Sequence, residues 1–303
     1  MKISSEKKRQ KLFMLTIFLL TMVMLFSCNN KYIDSIRVKS ISDYDKDTVI
    51  DDIETISFGT YPQSDENGNL KEPIEWIVLD TNGGKSLLLS KYILDCKCYD
   101  NDFSYGLWEK CSLRKWLNDY FYNLAFDEKE KGMIVSSQLK NATNFDYKTR
   151  DGKDTIDKIF CLSIDEIFKY FGKKGKNESG YYKIGKSAVT RGTSYAQNVD
   201  NYGSKLYIVS SGDTKGSSIY WLRSAGESNS LATYLMFDII DIRGGKPSSK
   251  GVGVRPAVWI SAFSSENKEL KKTEDIIKLY NRENNYGFDK VYLKHKEYNF
   301  NMI

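Results

Sequence analysis

Histidine is almost missing from this 303-residue chain; the single one is His295, near the C-terminus. That absence excludes Ser/His and Cys/His nucleophile pairs, since no ordinary base is at hand to activate them. It also excludes zinc and copper sites built on imidazole. No glycine-rich phosphate cradle of the required form occurs, there is no internal repeat, and no motif calls for a cofactor. Cys96 and Cys98 are one residue apart rather than two, which is not the spacing of the common redox and zinc knuckles. Asp65-Glu66-Asn67-Gly68-Asn69 has the start of a calcium loop but lacks the later Glu that completes it, and a β-turn accounts for it equally well.

Positive charge is also scarcer than the net +5 suggests. Lys2, Lys7, Lys8, Arg9 and Lys11, set against Glu6, supply +4 of it within the first residues and leave +1 for the remainder. A near-neutral chain has no electrostatic footprint for nucleic acid, which is bound by clustered Lys and Arg. The basic start is followed by an uncharged run from Leu12 to Phe26 and then by Ser27-Cys28. A short apolar stretch behind a basic start, closed by a small residue, reads as a secretory signal. Leu25-Phe26-Ser27-Cys28 resembles the lipobox of bacterial lipoproteins, although Phe26 is larger than the usual residue there. That resemblance implies acylation of Cys28, as with palmitate, and an exported protein tied by lipid to the outer face of the cytoplasmic membrane. The alternative is an uncleaved membrane anchor. Heavy use of Lys, Asn, Ile and Tyr, with only 4 Pro, suggests an AT-rich Gram-positive genome.

The chain divides into a leader over 1–27, a polar tether over 28–52, a domain over 53–261 and a charged tail over 262–303. In the tail, Leu270, Ile276, Ile277 and Tyr280 have the spacing of an amphipathic helix. Inside the domain, the first strand is expected at Thr55–Tyr61. A hairpin joins Ile74–Leu79 to Lys85–Tyr92 through Asn82-Gly83-Gly84. Leu113, Trp116, Leu117, Tyr120, Phe121 and Leu124 place a helix over 112–124, with Ser112 as its N-cap. Ser163-Ile164-Asp165-Glu166 is a capping box that opens a second helix, ended by Gly172. A short strand precedes it at Ile159–Leu162. The stretches 141–157 and 172–216 read as loops with short apolar runs. Further strands are expected at Ile219–Leu222, Leu231–Ile240 and Val252–Ile260, the last two separated by a turn at Gly244-Gly245-Lys246-Pro247.

Four cysteines remain after Cys28: Cys96, Cys98, Cys111 and Cys161. In an exported chain they could form disulfides, with three possible connectivities; Cys96 and Cys98, pointing to the same side of a strand, pair poorly with each other. The alternative is four small buried thiols. Arg223 and Arg255 each interrupt an apolar, aromatic strand, beside Trp221 and Trp259 respectively. Such charges are expected to serve structure, bridging to carboxylates or backbone carbonyls.

Phe58-Gly59-Thr60-Tyr61-Pro62-Gln63, Glu75-Trp76-Ile77-Val78-Leu79, Leu88-Leu89-Ser90, Trp108-Glu109, Leu113 to Asn118, Tyr220 to Ser224 and Val254-Arg255-Pro256-Ala257 form a series. It resembles an unknown-function domain family of exported proteins of Gram-positive anaerobes. The ending Trp-Leu-Arg-Ser … Gly-Val-Arg-Pro-Ala is also distantly similar to formylglycine-generating-enzyme-like domains, which have a C-type-lectin-like fold. The resemblance implies an α+β domain with two helices packed on irregular antiparallel sheets. It does not imply the oxidase chemistry, whose copper-binding Cys pair would fall where this chain has no cysteine. By the same analogy, 225–250 presents the ligand-facing residues: Glu227, Asn229, Tyr234, Asp241, Arg243 and Lys246. The alternative is an ordinary solvated hairpin. Three readings follow: a tethered non-catalytic binding module for a glycan, cell-wall component or protein; an exported enzyme, either a formylglycine-type oxidase or a carboxylate-pair hydrolase; or a structural lipoprotein acting through its tail.

Overall fold

A computed structural model describes residues 38–261 except 103–105, 151 and 200–203. Cys28, the leader and the tail helix proposed over 262–303 lie outside the described residues. The strands in chain order are β1 (Ile56–Pro62), β2 (Lys71–Asn82), β3 (Lys85–Ser90), β4 (Asp95–Cys96), β5 (Ser137–Leu139), β6 (Thr155–Asp157), β7 (Ile159–Phe160), β8 (Lys173–Lys176), β9 (Tyr182–Ile184), β10 (Tyr220–Ala225), β11 (Ala232–Met236), β12 (Ile239–Gly245), β13 (Gly253–Val254) and β14 (Ala257–Ser261). The helices are α1 (Ser112–Trp116), α2 (Tyr122–Ala125), α3 (Glu128–Met133), α4 (Ile164–Phe171) and α5 (Ser194–Asn198). A π-helical turn, Leu117–Phe121, joins α1 to α2.

Two main sheets organise these elements, a mixed α+β fold. One has the order β1-β2-β3-β14-β7, with every neighbouring pair antiparallel. The other runs β4-β13-β10-β11-β12-β9-β8 and is antiparallel except where β10 meets β13. β5 and β6 form a separate pair. The β2–β3 hairpin turns on Gly83 and Gly84, both at positive φ, as its sequence predicts. Its unbroken Leu87-Leu88-Leu89 run is buried because β3 lies between β2 and β14.

The chain passes between these two sheets four times, and Arg255 fastens together two of the passages, the one after β3 and the one after β13. Its guanidinium donates to the carbonyls of Ser90 (2.9 Å), Lys91 (3.3 Å) and Ala188 (2.9 Å). It also lies 3.1 Å from the Tyr220 hydroxyl. Arg255 is only 1% exposed, and among the described residues no carboxylate forms a salt bridge with it. Of the bridges expected, it uses carbonyls alone. Arg223 uses both kinds: Glu166 at the start of α4, and the carbonyl of Cys161 at 3.1 Å. Trp221 is fully buried, whereas Trp259 is half-buried on β14.

Several local expectations are corrected. The strand expected over 231–240 is broken at Phe237, which takes φ 60° and turns the chain from β11 into β12. The Gly-rich stretch at 244–247 therefore ends β12 rather than joining two long strands. β8, β9 and α5 occupy part of the loop expected over 172–216, and β6 part of that over 141–157. Cys111, not Ser112, caps α1: its sulfur accepts from the Arg114 amide, while Ser112 Oγ accepts from Asn101. The end of the stretch read as tether is folded. Ile41 and Ile50 are buried, and Asp51 pairs with Arg191 through both carboxylate oxygens.

Candidate aromatic and carboxylate site

Cys96, Cys98, Cys111 and Cys161 are all buried, and none is in a disulfide. They follow the small-hydrophobe reading rather than the disulfide one. Burial pushes the thiols of Cys96 and Cys111 up to about 12, and Cys161 higher still, so thiolate is scarce at neutral pH. Asp65 spends its carboxylate on its own turn, accepting from the amides of Asn67, Asn69 and Leu70 at 2.7–3.0 Å. Among the described residues no group of three His, Cys, Asp or Glu side chains could hold a metal.

The six residues expected to face a ligand divide into two sets. Tyr234 on β11 lies opposite Asp241 on β12. Arg243 donates to Asp241 Oδ1 (3.0 Å) and Oδ2 (3.2 Å), and also to the Tyr181 hydroxyl. Glu227 and Asn229 are exposed on the β10–β11 connection and Lys246 just after β12; the Glu227 amide donates to the Arg243 carbonyl at 2.8 Å, which ties that connection to the cluster through the backbone. Arg243 and Asp241 largely satisfy one another, leaving few free groups to attract a ligand.

A richer surface surrounds Asp95. β4 carries this carboxyl inward, 1% exposed, towards β1 and against α5. Tyr61 of β1 donates its hydroxyl to Oδ2 at 2.6 Å, and the Cys96 amide donates to Oδ1 at 2.7 Å. Lys97 Nζ stands 3.6 Å from Oδ1. Burial raises the Asp95 pKa from the usual carboxylate range, and Lys97, Tyr61 and the Cys96 amide oppose that rise. Burial also pushes Tyr195 to about 12; its ring meets Tyr61 edge-on at 5.8 Å.

Aromatic rings lead from this carboxyl to the surface. Trp116 packs on Phe121 at 5.5 Å and stacks on Tyr120 at 6.2 Å, with interplanar angle 26° for the stack. Lys97 Nζ covers the Trp116 ring at 4.6 Å. Tyr120 is 58% exposed. A uniform α-helix would put Trp116, Tyr120 and Phe121 on a single face, as the spacing predicts. The π-helical turn adds residues to one revolution and rotates the face: Leu113, Leu117 and Phe121 are buried, while Tyr120 points to solvent. Asn118 accompanies the wider turn. Its Nδ2 donates to the Arg114 carbonyl (3.0 Å) and the Ile159 carbonyl (2.9 Å), and its Oδ1 accepts from Lys158 (2.7 Å). Sequence reading missed this site because amphipathic spacing assigned its rings to the core. The only signal was an excess of aromatic residues on that face.

A family model described as a domain of unknown function, DUF6273, matches residues 83–262, more than half of the chain. No curated protein and no solved structure matches. Among the described residues no helix is long and apolar enough to cross a membrane.

Proposed function

From the premise that the chain belongs to the DUF6273 family, whose description names no activity, we propose a non-catalytic binding module for a glycan, held at the outer face of a membrane by lipid on Cys28. The observation that carries the reading is the stacked Trp116–Tyr120 pair, open to solvent beside the Lys97–Asp95 pair. Aromatic faces bury the apolar face of a flat ligand at low entropy cost, while the partly exposed Lys97 ammonium, held by the buried Asp95, offers a directed hydrogen bond at its edge. A pyranose ring has both kinds of surface. A distant C-type-lectin-like ancestry is consistent with that role and belongs to the same proposal. Raised thiol pKa values give the thiol-based oxidase alternative less support.

A glycan array probed with the full-length chain, followed by titration calorimetry on the best hit, tests the reading. Tyr120→Ala and Trp116→Ala should each weaken that binding about tenfold or more. Absence of any glycan hit, or affinities unchanged by both substitutions, overturns it.

A further inference from the structure

A second cleft lies away from the aromatic site, between the segment around Val49 and Ile50, the stretch 186–191, and a hairpin tip. The hairpin is pinned at its base by the Ile208–Ser218 bridge and by the Val209 amide bonding to the Ser217 carbonyl at 2.9 Å. Its tip turns through Gly212 and Gly216, both at positive φ, and presents Asp213 and Lys215 to the cleft. The space amounts to about 200 Å³. That is smaller than the roughly 300–1,000 Å³ of pockets for drug-sized ligands, so the occupant is small.

Three features give the cleft a chemical preference. First, Nζ of Lys186 and Nζ of Lys215 make no hydrogen bond or salt bridge among the described residues. Asp47, which senses the Lys186 charge, already holds the Lys174 ammonium. Second, Ser217 is 6% exposed, lines the cleft, and its hydroxyl has no hydrogen-bond partner. A buried hydroxyl left unpaired is costly, and a bound acceptor would relieve that cost. Third, Val49, Ile50 and Val189 line an apolar side, with Val49 51% exposed despite its hydrophobic side chain.

The charge balance narrows the ligand. Arg191 lines the cleft but is neutralised by Asp51, with N–O distances of 2.8 and 3.0 Å. Lys186 and Lys215 against Asp213 leave one uncompensated positive charge. That matches a monoanion, while Asp213 at the rim would repel a dianion. We propose that this cleft binds a small aliphatic monocarboxylate, its oxygens between Lys186, Lys215 and Ser217 and its hydrocarbon against Val49, Ile50 and Val189. This assignment is independent of the glycan reading.

Saturation-transfer NMR on the full-length chain, with butyrate as the probe and 1-butanol and inorganic phosphate as comparisons, tests it. Butyrate should bind with a dissociation constant of about 1 mM, and butanol should give no saturable signal. Lys186→Gln and Lys215→Gln, both at exposed positions, should each weaken butyrate about tenfold, and Ser217→Ala about fivefold. No saturable butyrate signal, or one that all three substitutions leave intact, overturns the proposal. Phosphate displacing butyrate at lower concentration than butyrate itself overturns the monocarboxylate assignment.

Discussion

The hydroxyl of Tyr61 donates to Oδ2 of Asp95 at 2.6 Å, inside a shell of aromatic rings. Burial disfavours the ionised form of a carboxyl held there, and its pKa is raised above the ordinary carboxylate value. Below the ordinary value of 3.8, folded and unfolded chains both carry the proton, and the site costs nothing. As pH rises past that value the unfolded chain ionises first, so Asp95 lowers stability until the folded pKa is passed, at up to about 1.4 kcal/mol per pH unit. Asp95→Asn removes this loss. The melting temperature of the variant relative to wild type should therefore rise from pH 3 to pH 7, as read by circular dichroism. A constant difference across that range would contradict the assignment.

Arg255→Met should destabilise the domain by about 3–5 kcal/mol, because several buried carbonyls lose their donor at once. Urea denaturation checks it. Arg255→Lys should recover only part of the loss, since an ammonium cannot reproduce the planar fork that spans Ser90, Lys91 and Ala188.

Gly59 occupies the irregular step of β1 at φ 70°, and its amide is taken by Glu130 Oε1 at 2.8 Å. A Cβ there would stand 2.6 Å from the Phe126 ring and 2.8 Å from the Ala125 carbonyl. Gly59→Ala combines left-handed strain with overpacking and should cost about 2–4 kcal/mol, measured by the same denaturation.

Cys96, Cys98, Cys111 and Cys161 should resist iodoacetamide at pH 8 in the native protein and react fully in guanidinium, as peptide mass spectrometry reports. Rapid native labelling, or an intact mass lower by the hydrogens of a disulfide, would refute the buried-thiol arrangement.

Tyr120→Ala should leave stability within about 0.5 kcal/mol of wild type, because the ring is largely in solvent. Phe121→Ala, one residue on and fully buried, should cost about 3–5 kcal/mol. This contrast between neighbours reads the phase of the π-helical turn directly. Equal effects would place both rings on one face.

The elements legible in the sequence are those specified by short-range chemistry. Gly83-Gly84 fixes the hairpin, and Ser163 with Glu166 fixes the start of α4, where both capping-box bonds form. The paired residues of β11 and β12 were harder to separate because Phe237 enters the left-handed region with an aromatic side chain that carries no turn signal. β8 reads Lys-Lys-Gly-Lys and is wholly exposed, so it has no apolar alternation to reveal it. Asp95 is inconspicuous in sequence. Its partners Tyr61 and Tyr195 are 34 and 100 positions away, joined to it only by the fold.

β14, the last strand described, lies between β3 and β7. The apolar Leu87–Leu89 run thus has one edge without its neighbour until residues 257–261 are available, some 170 positions later. The sheet closes from its far end, a non-local pairing that slows folding. Until then β3 is a bare strand edge, prone to pair with other chains. During synthesis, the interval between the emergence of β3 and that of β14 is the period of greatest aggregation risk.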